Sequence, residues 1–316
     1  MPNLAAPPQG IPDLVLVNPV AGGGLAQEVL PSLKDFAVRR GWAVEFRSTC
    51  SPENLAVEAR QGAAEGRKRI FVLGGDGTFQ VLLNALAGAS SVVLGVIPAG
   101  GGNDLAAAIG LPQDPLLAAD LLLDGQAAFL DAALVRTADG KERLYSGGGG
   151  VGLDAEAARY ASGVYRKLRG RPRYLLSALR ALMGFHSIRL HAVIGTGQQV
   201  EINANALLLG VLNTPSYGAG LRLAPDAQTN DGKLDLVLME DLSFLEILAL
   251  LPSLAHRGEL RTAHIRRFRV DRVLIETHKP CSFHGDGEIL GNTPVEVAVV
   301  PNAVRILRPR NTPSDR

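Results

Sequence analysis

Apolar positions in the first 125 residues follow two alternating rhythms. Asp13–Val17 (DLVLV), Arg69–Leu73 (RIFVL) and Val92–Ile97 (VVLGVI) are short, nearly unbroken apolar runs, and Ala43–Arg47 alternates apolar with polar residues. Longer stretches separate them. One runs from about Leu25 to Arg40 at helical spacing and is stopped by Gly41. The next opens with Ser51 as N-cap and Pro52 at the first helical position, and stops at Gly66. Strands buried on both faces that alternate with helices predict a mostly parallel sheet covered on both sides.

Beyond about Leu130 the rhythm changes. Ile188–Gly195, Val200–Leu212, Lys233–Met239, Val270–Thr277 and Pro294–Val300 are strand-like and follow one another, with turn signals such as Asp139-Gly140 and Asn230-Asp231-Gly232 between them. Strands in succession predict antiparallel β structure, a sandwich. Two helical interruptions are expected, at about Ser162–Gly184 and about Ser243–Arg257, the second with Ser243 and Glu246 in capping-box spacing. The fold class is therefore α/β plus β. A Rossmann-like domain spans 11–130, an antiparallel β-sandwich spans 131–301, and the tail 302–316 is expected to pack back on the first domain.

Composition narrows the function classes. The chain has 316 residues, is 47% hydrophobic and 20% charged, and carries a formal net charge of +1. That is ordinary for a chain with a buried core, and it provides no field to recruit nucleic acid. Cys50 and Cys281 stand far apart without metal spacing and read as free thiols in a reducing compartment. The N-terminus lacks the basic and apolar regions of a signal peptide, and no apolar run approaches the roughly 20 residues of a membrane span. These features predict a cytoplasmic protein without a transmembrane segment and leave contact with a membrane surface open.

The candidate chemistry lies in three glycine-rich turns: Asn18–Gly24 (NPVAGGG), Gly74–Thr78 (GGDGT) and Ile97–Asp104 (IPAGGGND). Each joins a strand to a helix start, so all three would sit at the carboxyl ends of parallel strands, where open α/β sheets bind ligands. Backbone N–H groups and a helix N-terminus suit phosphate. Asp76 among them would repel bare phosphate. It makes sense if a divalent cation bridges it to the phosphates, or if it takes a proton from a hydroxyl. No lysine follows the turn, so it is not a Walker A loop. A fourth polar turn, His284–Leu290 (HGDGEIL), places Asp286 and Glu288 two residues apart, on one side if the backbone is extended.

Taken in order, Asn18-Pro19, Gly74–Thr78, Pro98-x-Gly100-x-x-Asn103-Asp104, Gly152-x-Asp154-Ala155, Ala224-Pro225 with Asp231-Gly232, and Asp286-Gly287-Glu288 resemble the diacylglycerol-kinase-type lipid kinases, including sphingosine and ceramide kinase catalytic domains. The resemblance covers about Leu14 to Leu307. It implies ATP bound in a cleft between the two domains and transfer of its γ-phosphoryl group to a lipid hydroxyl, with diacylglycerol the leading candidate acceptor. It implies nucleotide contacts at Asn18, Pro19, Gly22, Thr49, Gly74, Gly75, Asp76, Gly77, Thr78, Gly100 and Gly101, and substrate contacts at Asn103 and Asp104. Asp286, Glu288 and Asp76 are the implied catalytic acids, with the choice of base between Asp286 and Glu288 left open and Asp286 favoured. A magnesium ion is implied near Asp231, with the backbone carbonyls of Gln228 and Lys233 as further ligands. The implied partner is a lipid at the inner membrane face, and a homodimer is compatible with it.

Several positions depart from that family's usual residues: Ala21 for Ser, Gln80 and Val81 for Asn-Glu, Gly101 for Thr, and Gly147 for Asn. They leave a degenerate lipid- or nucleotide-binding relative as one alternative. A NAD-kinase-like enzyme, which shares the Gly-Gly-Asp-Gly-Thr turn, is another. The segment Tyr165–Leu182 carries five basic residues between Arg166 and Arg173 before an apolar stretch with Leu175, Leu176 and Leu179. It reads equally as a membrane-interface helix or as a solvated helix packed on the sandwich.

Overall fold

The computed structural model describes residues 10–165, 176–177, 179–181, 187–195, 199–218, 222–242, 246 and 264–310. The N-terminal unit opens with the predicted alternation: β1 (Asp13–Val17), α1 (Leu25–Arg40), β2 (Val44–Ser48), α2 (Pro52–Ala64), β3 (Arg69–Gly74), α3 (Asp76–Leu86) and β4 (Val93–Pro98), followed by α4 (Asp104–Ala108) and α5 (Pro115–Leu123). The ends behave as their residues dictate. Ser51 Oγ accepts from Asn54 N at 3.1 Å, and Gly41 closes α1 in the left-handed region. The four strands are parallel in the order β2-β1-β3-β4. The order reverses between β1 and β3, the place where a crevice opens at the carboxyl edge of such sheets. The turns after β1, β3 and β4 are therefore neighbours.

The C-terminal unit contains β5 (Gln126–Thr137), β6 (Glu142–Tyr145), β7 (Gly148–Gly152), α6 (Leu153–Ser162), β8 (Ile188–Ile194), β9 (Val200–Leu212), β10 (Leu234–Glu240), β11 (Ile265–Val270), β12 (Arg272–Thr277), β13 (Ser282–Gly285), β14 (Glu288–Asn292) and β15 (Val295–Arg308). Its pairings are antiparallel, as successive strands predict. It forms the β-sandwich domain, while the hydrogen-bonded strand path runs on through β15 into β4. The apolar interior has separate clusters, one around Leu16, Phe71 and Leu82 and another around Tyr145, Val211 and Phe283.

β5 passes through Leu130-Asp131 without a break. A bulge in β15 lies opposite this point: Val300 pairs with Ala132 and Val304 with Leu130, so three residues of β15 oppose Asp131. Asp131, 1% exposed, fills that gap by accepting from Asn302 N and Gly232 N, both at 2.7 Å. Beyond the bulge, Arg305 and Ile306 pair in parallel with Val93 and Leu94. A second tie is α3 itself. Asn84 exchanges two hydrogen bonds with the backbone of Leu144, at 2.8 and 2.9 Å, and Gln80 Nε2 donates to Gly285 O at 3.2 Å.

Six strands of this unit were not anticipated by the pattern: β5, β6, β7, β11, β13 and β14. β7 is the instructive one, because its sequence, GGGVG, has little strand propensity. It forms because β9 and β13 flank it and supply its ladder. The expected helix at 162–184 and the basic run 166–173 lie largely outside the described residues. The expected helix at 243–257 does too, apart from Glu246. Among the described residues, no helix is long and apolar enough to cross a membrane.

Candidate functional site

The glycine turns touch one another. Gly22 has φ +60°, and a Cβ there would lie 2.3 Å from Ala99 O. A Cβ on Gly75 would lie 2.8 Å from Gly100 Cα, and one on Gly100 would lie 2.5 Å from Gly75 Cα. Since such separations are far inside contact distance, the two turns approach this closely only as glycines. Asn18 Nδ2 donates to Thr78 Oγ1 at 2.9 Å across the point where the strand order reverses. Thr49, just past β2, is buried against the end of β1, its hydroxyl donating to Val17 O at 3.0 Å. Pro19 and Gly101 are half-buried on the rim.

Asp76 is the first residue of α3, where the helix dipole favours a carboxylate. Its two oxygens accept from Leu105 N (3.1 Å) and Asp104 N (3.2 Å), joining the second glycine turn to the third. Burial raises its pKa above the ordinary carboxylate value, and the backbone N–H bonds work against that rise. Asn103, at φ +56°, spends its side chain inside its own loop: Oδ1 accepts from Gly100 N at 2.9 Å and Nδ2 donates to Gln113 Oε1 at 2.8 Å. It is a loop staple with its amide already occupied. Asp104 Oδ1 accepts from Ser216 Oγ at 3.0 Å, a polar bridge between the two units.

The hairpin of β13 and β14 brings in the remaining acids. The expectation that Asp286 and Glu288 share one side of an extended chain is corrected. Asp286 (φ +50°) and Gly287 (φ +84°) form a tight left-handed turn, as an Asp-Gly pair between two strands favours. The Asp286 carboxylate is held on the backbone: Oδ2 accepts from Ser146 N and Oδ1 from Gly147 N, each at 2.9 Å, with Ser146 Oγ at 3.3 Å. Burial, and then the negative charge of Asp76, push Asp286 up to about 7. Asp76 and Asp286 are thus close enough for the charge of one to act on the other. Gly77 faces the same hairpin, since a Cβ on it would lie 3.5 Å from Glu288 Oε1 and 3.7 Å from Asp286 O.

The structure therefore brings together Asn18, Gly74–Thr78, Gly100, Asp104, Asp286 and Glu288. It does not bring the 228–233 turn to this cluster by any described contact. That turn is fastened at the β15 bulge through Asp131. Asp231 Oδ2 is paired with the Arg269 guanidinium, Oδ1 accepts from Lys233 N at 3.0 Å, and Gln228 is exposed. A carboxylate already neutralised by arginine does not fit the implied divalent ion. Among the described residues, no group of three or more His, Cys, Asp or Glu side chains is placed to hold a metal.

Ser146 was missed as a site residue, and Gly147 stood out only as a departure from the family's usual Asn. A Cβ on Gly147 would sit 2.8 Å from Asp286 Oδ1, so the glycine there makes room for the carboxylate. Gln80, a departure from the resembled pattern, serves to hold α3 on the hairpin.

Known proteins match this chain along nearly its whole length. Residues 12–135 match the diacylglycerol kinase catalytic domain, and residues 147–308 match the YegS C-terminal NAD kinase beta sandwich-like domain. A diacylglycerol kinase of Mycobacterium tuberculosis is 32% identical over 301 residues, 94% of each chain. A probable lipid kinase YegS-like protein of Alcanivorax borkumensis is 31% identical over 278 residues, 87% of this chain and 90% of its own. The crystal structure of a diacylglycerol kinase from Bacillus anthracis shares the fold at a TM-score of 0.71, with 19% identity over 96% of this chain and 97% of that one. With a shared fold and identity above 30% over nearly full length, the chain belongs to the diacylglycerol kinase and YegS-like family of lipid kinases.

Proposed function

We propose that the chain is an ATP-dependent lipid kinase that moves the γ-phosphoryl group of ATP to a lipid hydroxyl, with diacylglycerol the first acceptor to test. The observation that carries this reading is the approach of the Asp286 hairpin to the helix start that bears Asp76, where a Cβ on Gly77 would lie 3.7 Å from Asp286 O, with the pKa of Asp286 pushed up to about 7. A general base works best when its pKa lies near the working pH. In this reading Asp286 takes the hydroxyl proton. The freed oxygen bonds to the γ-phosphorus as the bond from phosphorus to the β–γ bridging oxygen breaks, and ADP leaves with that electron pair. Asp76 orders the Gly100–Asp104 turn beside the phosphates through its two backbone bonds. The contacting glycine turns leave backbone N–H groups for the phosphate oxygens, where charge grows in the transition state. Magnesium entering with the nucleotide supplies further charge neutralisation. The acceptor reaches the cleft from a membrane surface.

Labelled ATP, Mg²⁺ and a panel of diacylglycerol, a sphingoid base, a prenyl alcohol and NAD test the reading, with Asp76→Ala as the control. Label in an extracted lipid that disappears in Asp76→Ala is the expected result. Label in NAD alone, or ATP binding with no transfer to any acceptor, overturns it.

A further inference from the structure

One set of buried polar side chains takes no part in the chemistry above. The Tyr217 hydroxyl donates to Asp154 Oδ2 at 3.0 Å and also meets His284 Nε2, which lies 3.3 Å from the same Asp154 oxygen. The side chains of His284 and Asp154 are 2% and 6% exposed. Glycines of β7 make the space. A Cβ on Gly148 would lie 2.5 Å from Tyr217 Cδ2, and one on Gly150 would lie 2.6 Å from Asp154 Oδ2. His284 pairs with Gly150 in the ladder, so its side chain projects from that face. Burial, then the charge of Asp154, hold the Tyr217 phenol well above its ordinary value, so it keeps its proton. His284 Nε2 faces both the Tyr217 hydroxyl and Asp154, and Nδ1 takes no part in either contact. Nδ1 is buried and has no partner among the described residues. Such an atom costs roughly 1–3 kcal/mol, so an apolar ring would pack here at lower cost. The imidazole calls for a reason beyond packing.

The reason lies in what the three residues connect. Tyr217 follows Ser216, whose hydroxyl bridges to Asp104 in the other unit. His284 precedes Asp286 by two residues on the strand that carries it. We propose that Tyr217, His284 and Asp154 are positioning residues that couple the Ser216–Asp104 bridge to the placement of Asp286, so that docking of the two units sets the carboxylate. The inference rests on the reading of Asp286 as the base.

Two measurements test it. The first is transfer from labelled ATP to dioctanoylglycerol in detergent micelles, with thermal unfolding of each variant. Tyr217→Phe and His284→Phe should lower kcat by about 10- to 100-fold while KM for ATP stays within about twofold. His284→Phe should unfold at or above the wild-type temperature, because the orphaned nitrogen is gone. His284→Gln, which keeps a donor, should recover most of kcat. Adding Ser216→Ala to Tyr217→Phe should cost little more than Tyr217→Phe alone. Parallel losses of stability, kcat and ATP affinity in both His284 variants would mean mere packing and overturn the proposal. The second measurement is hydrogen exchange of the hairpin amides, where Asp286 N donates to Gly148 O at 2.9 Å. Ser216→Ala should speed exchange at 284–288, and unchanged exchange there also overturns the coupling. If the wild type transfers phosphate to no acceptor, the functional reading fails, while the exchange experiment still decides the coupling.

Discussion

At the carboxyl edge of the parallel strands, Gly75 and Gly100 meet backbone to backbone, whereas Gly147 and Gly148 face a carboxylate and a phenol ring. Both stretches are glycine-rich beside an acid, and both lack Cβ atoms because something comes too close. In the first stretch the near neighbour is another turn of the fold. In the second it is a functional side chain, Asp286 or Tyr217. The first kind of contact shapes the edge on which Asp76 sits. The second decides where the acid of the other unit points. A glycine at the edge should therefore act through stability as well as chemistry, and Gly147 through chemistry with little effect on stability.

The largest effect expected on this comparison comes from the acid that the second stretch makes room for. Asp286→Asn should lower kcat by about 10³-fold, within the range for loss of a general base. The same group sets the pH profile. Below about 7 the carboxyl is protonated and cannot accept, so kcat/KM should fall about tenfold per pH unit on the acid side and level off above. Stability runs the opposite way. A carboxyl whose pKa is raised on folding contributes fully below its unfolded value of about 4, and that contribution is lost as pH rises through about 7. The wild-type melting temperature should therefore decline across that window relative to Asp286→Asn. Rate profiles and thermal melts from pH 5 to 8 check both signs. An acid limb absent from the wild-type profile would remove Asp286 from the role.

Two single methyl groups test the comparison directly. Gly147→Ala puts a Cβ 2.8 Å from Asp286 Oδ1 and should displace the carboxylate, lowering kcat by about 10²-fold with little loss of stability. Gly75→Ala puts a Cβ 2.8 Å from Gly100 Cα, which is backbone and cannot turn aside, and should cost about 1–3 kcal/mol of stability. Measured side by side, Gly147→Ala should lose turnover with its stability kept, and Gly75→Ala should lose stability along with turnover. If both lose stability to the same degree, the two glycine stretches play one role and the distinction falls.

The α/β half was largely legible because periodicity, caps and glycine stops agree there. Ser51, Pro52 and Gly41 behave in the structure as local chemistry dictates. The sandwich was less so. β7 owes its existence to flanking strands that are distant in sequence, and no local preference predicts GGGVG as a strand. The convergence of the glycine turns followed from strand order, while the place of Asp286 beside them came only from the resemblance of the motifs to the lipid kinases. The groups that hold Asp286 could not be inferred, because they are backbone N–H donors at Ser146 and Gly147 and carry no side-chain signature. Asn103 reads in sequence as a polar residue free to meet a ligand, yet its amide closes its own loop, a use that only the αL backbone at that residue reveals.

The smallest expected effect asks whether the two units hold the site together or whether the hairpin holds itself. Gln80→Leu removes one hydrogen bond from α3 to Gly285 O, a contact of 3.2 Å in a buried place. Its loss should cost about 1 kcal/mol, or roughly 2–4 °C in melting temperature. The effect stays small because Asn84, one turn along α3, keeps its paired bonds to Leu144. The carboxylate also keeps its bonds to Ser146 and Gly147. Turnover should drop no more than about fivefold, less than a factor that a shifted base produces. A fall approaching that of Gly147→Ala would mean that α3, and not the β7 backbone, sets the position of Asp286. The edge carrying Asp76 would then position both acids, and the contrast between the two glycine stretches would reduce to one helix seen from its two ends.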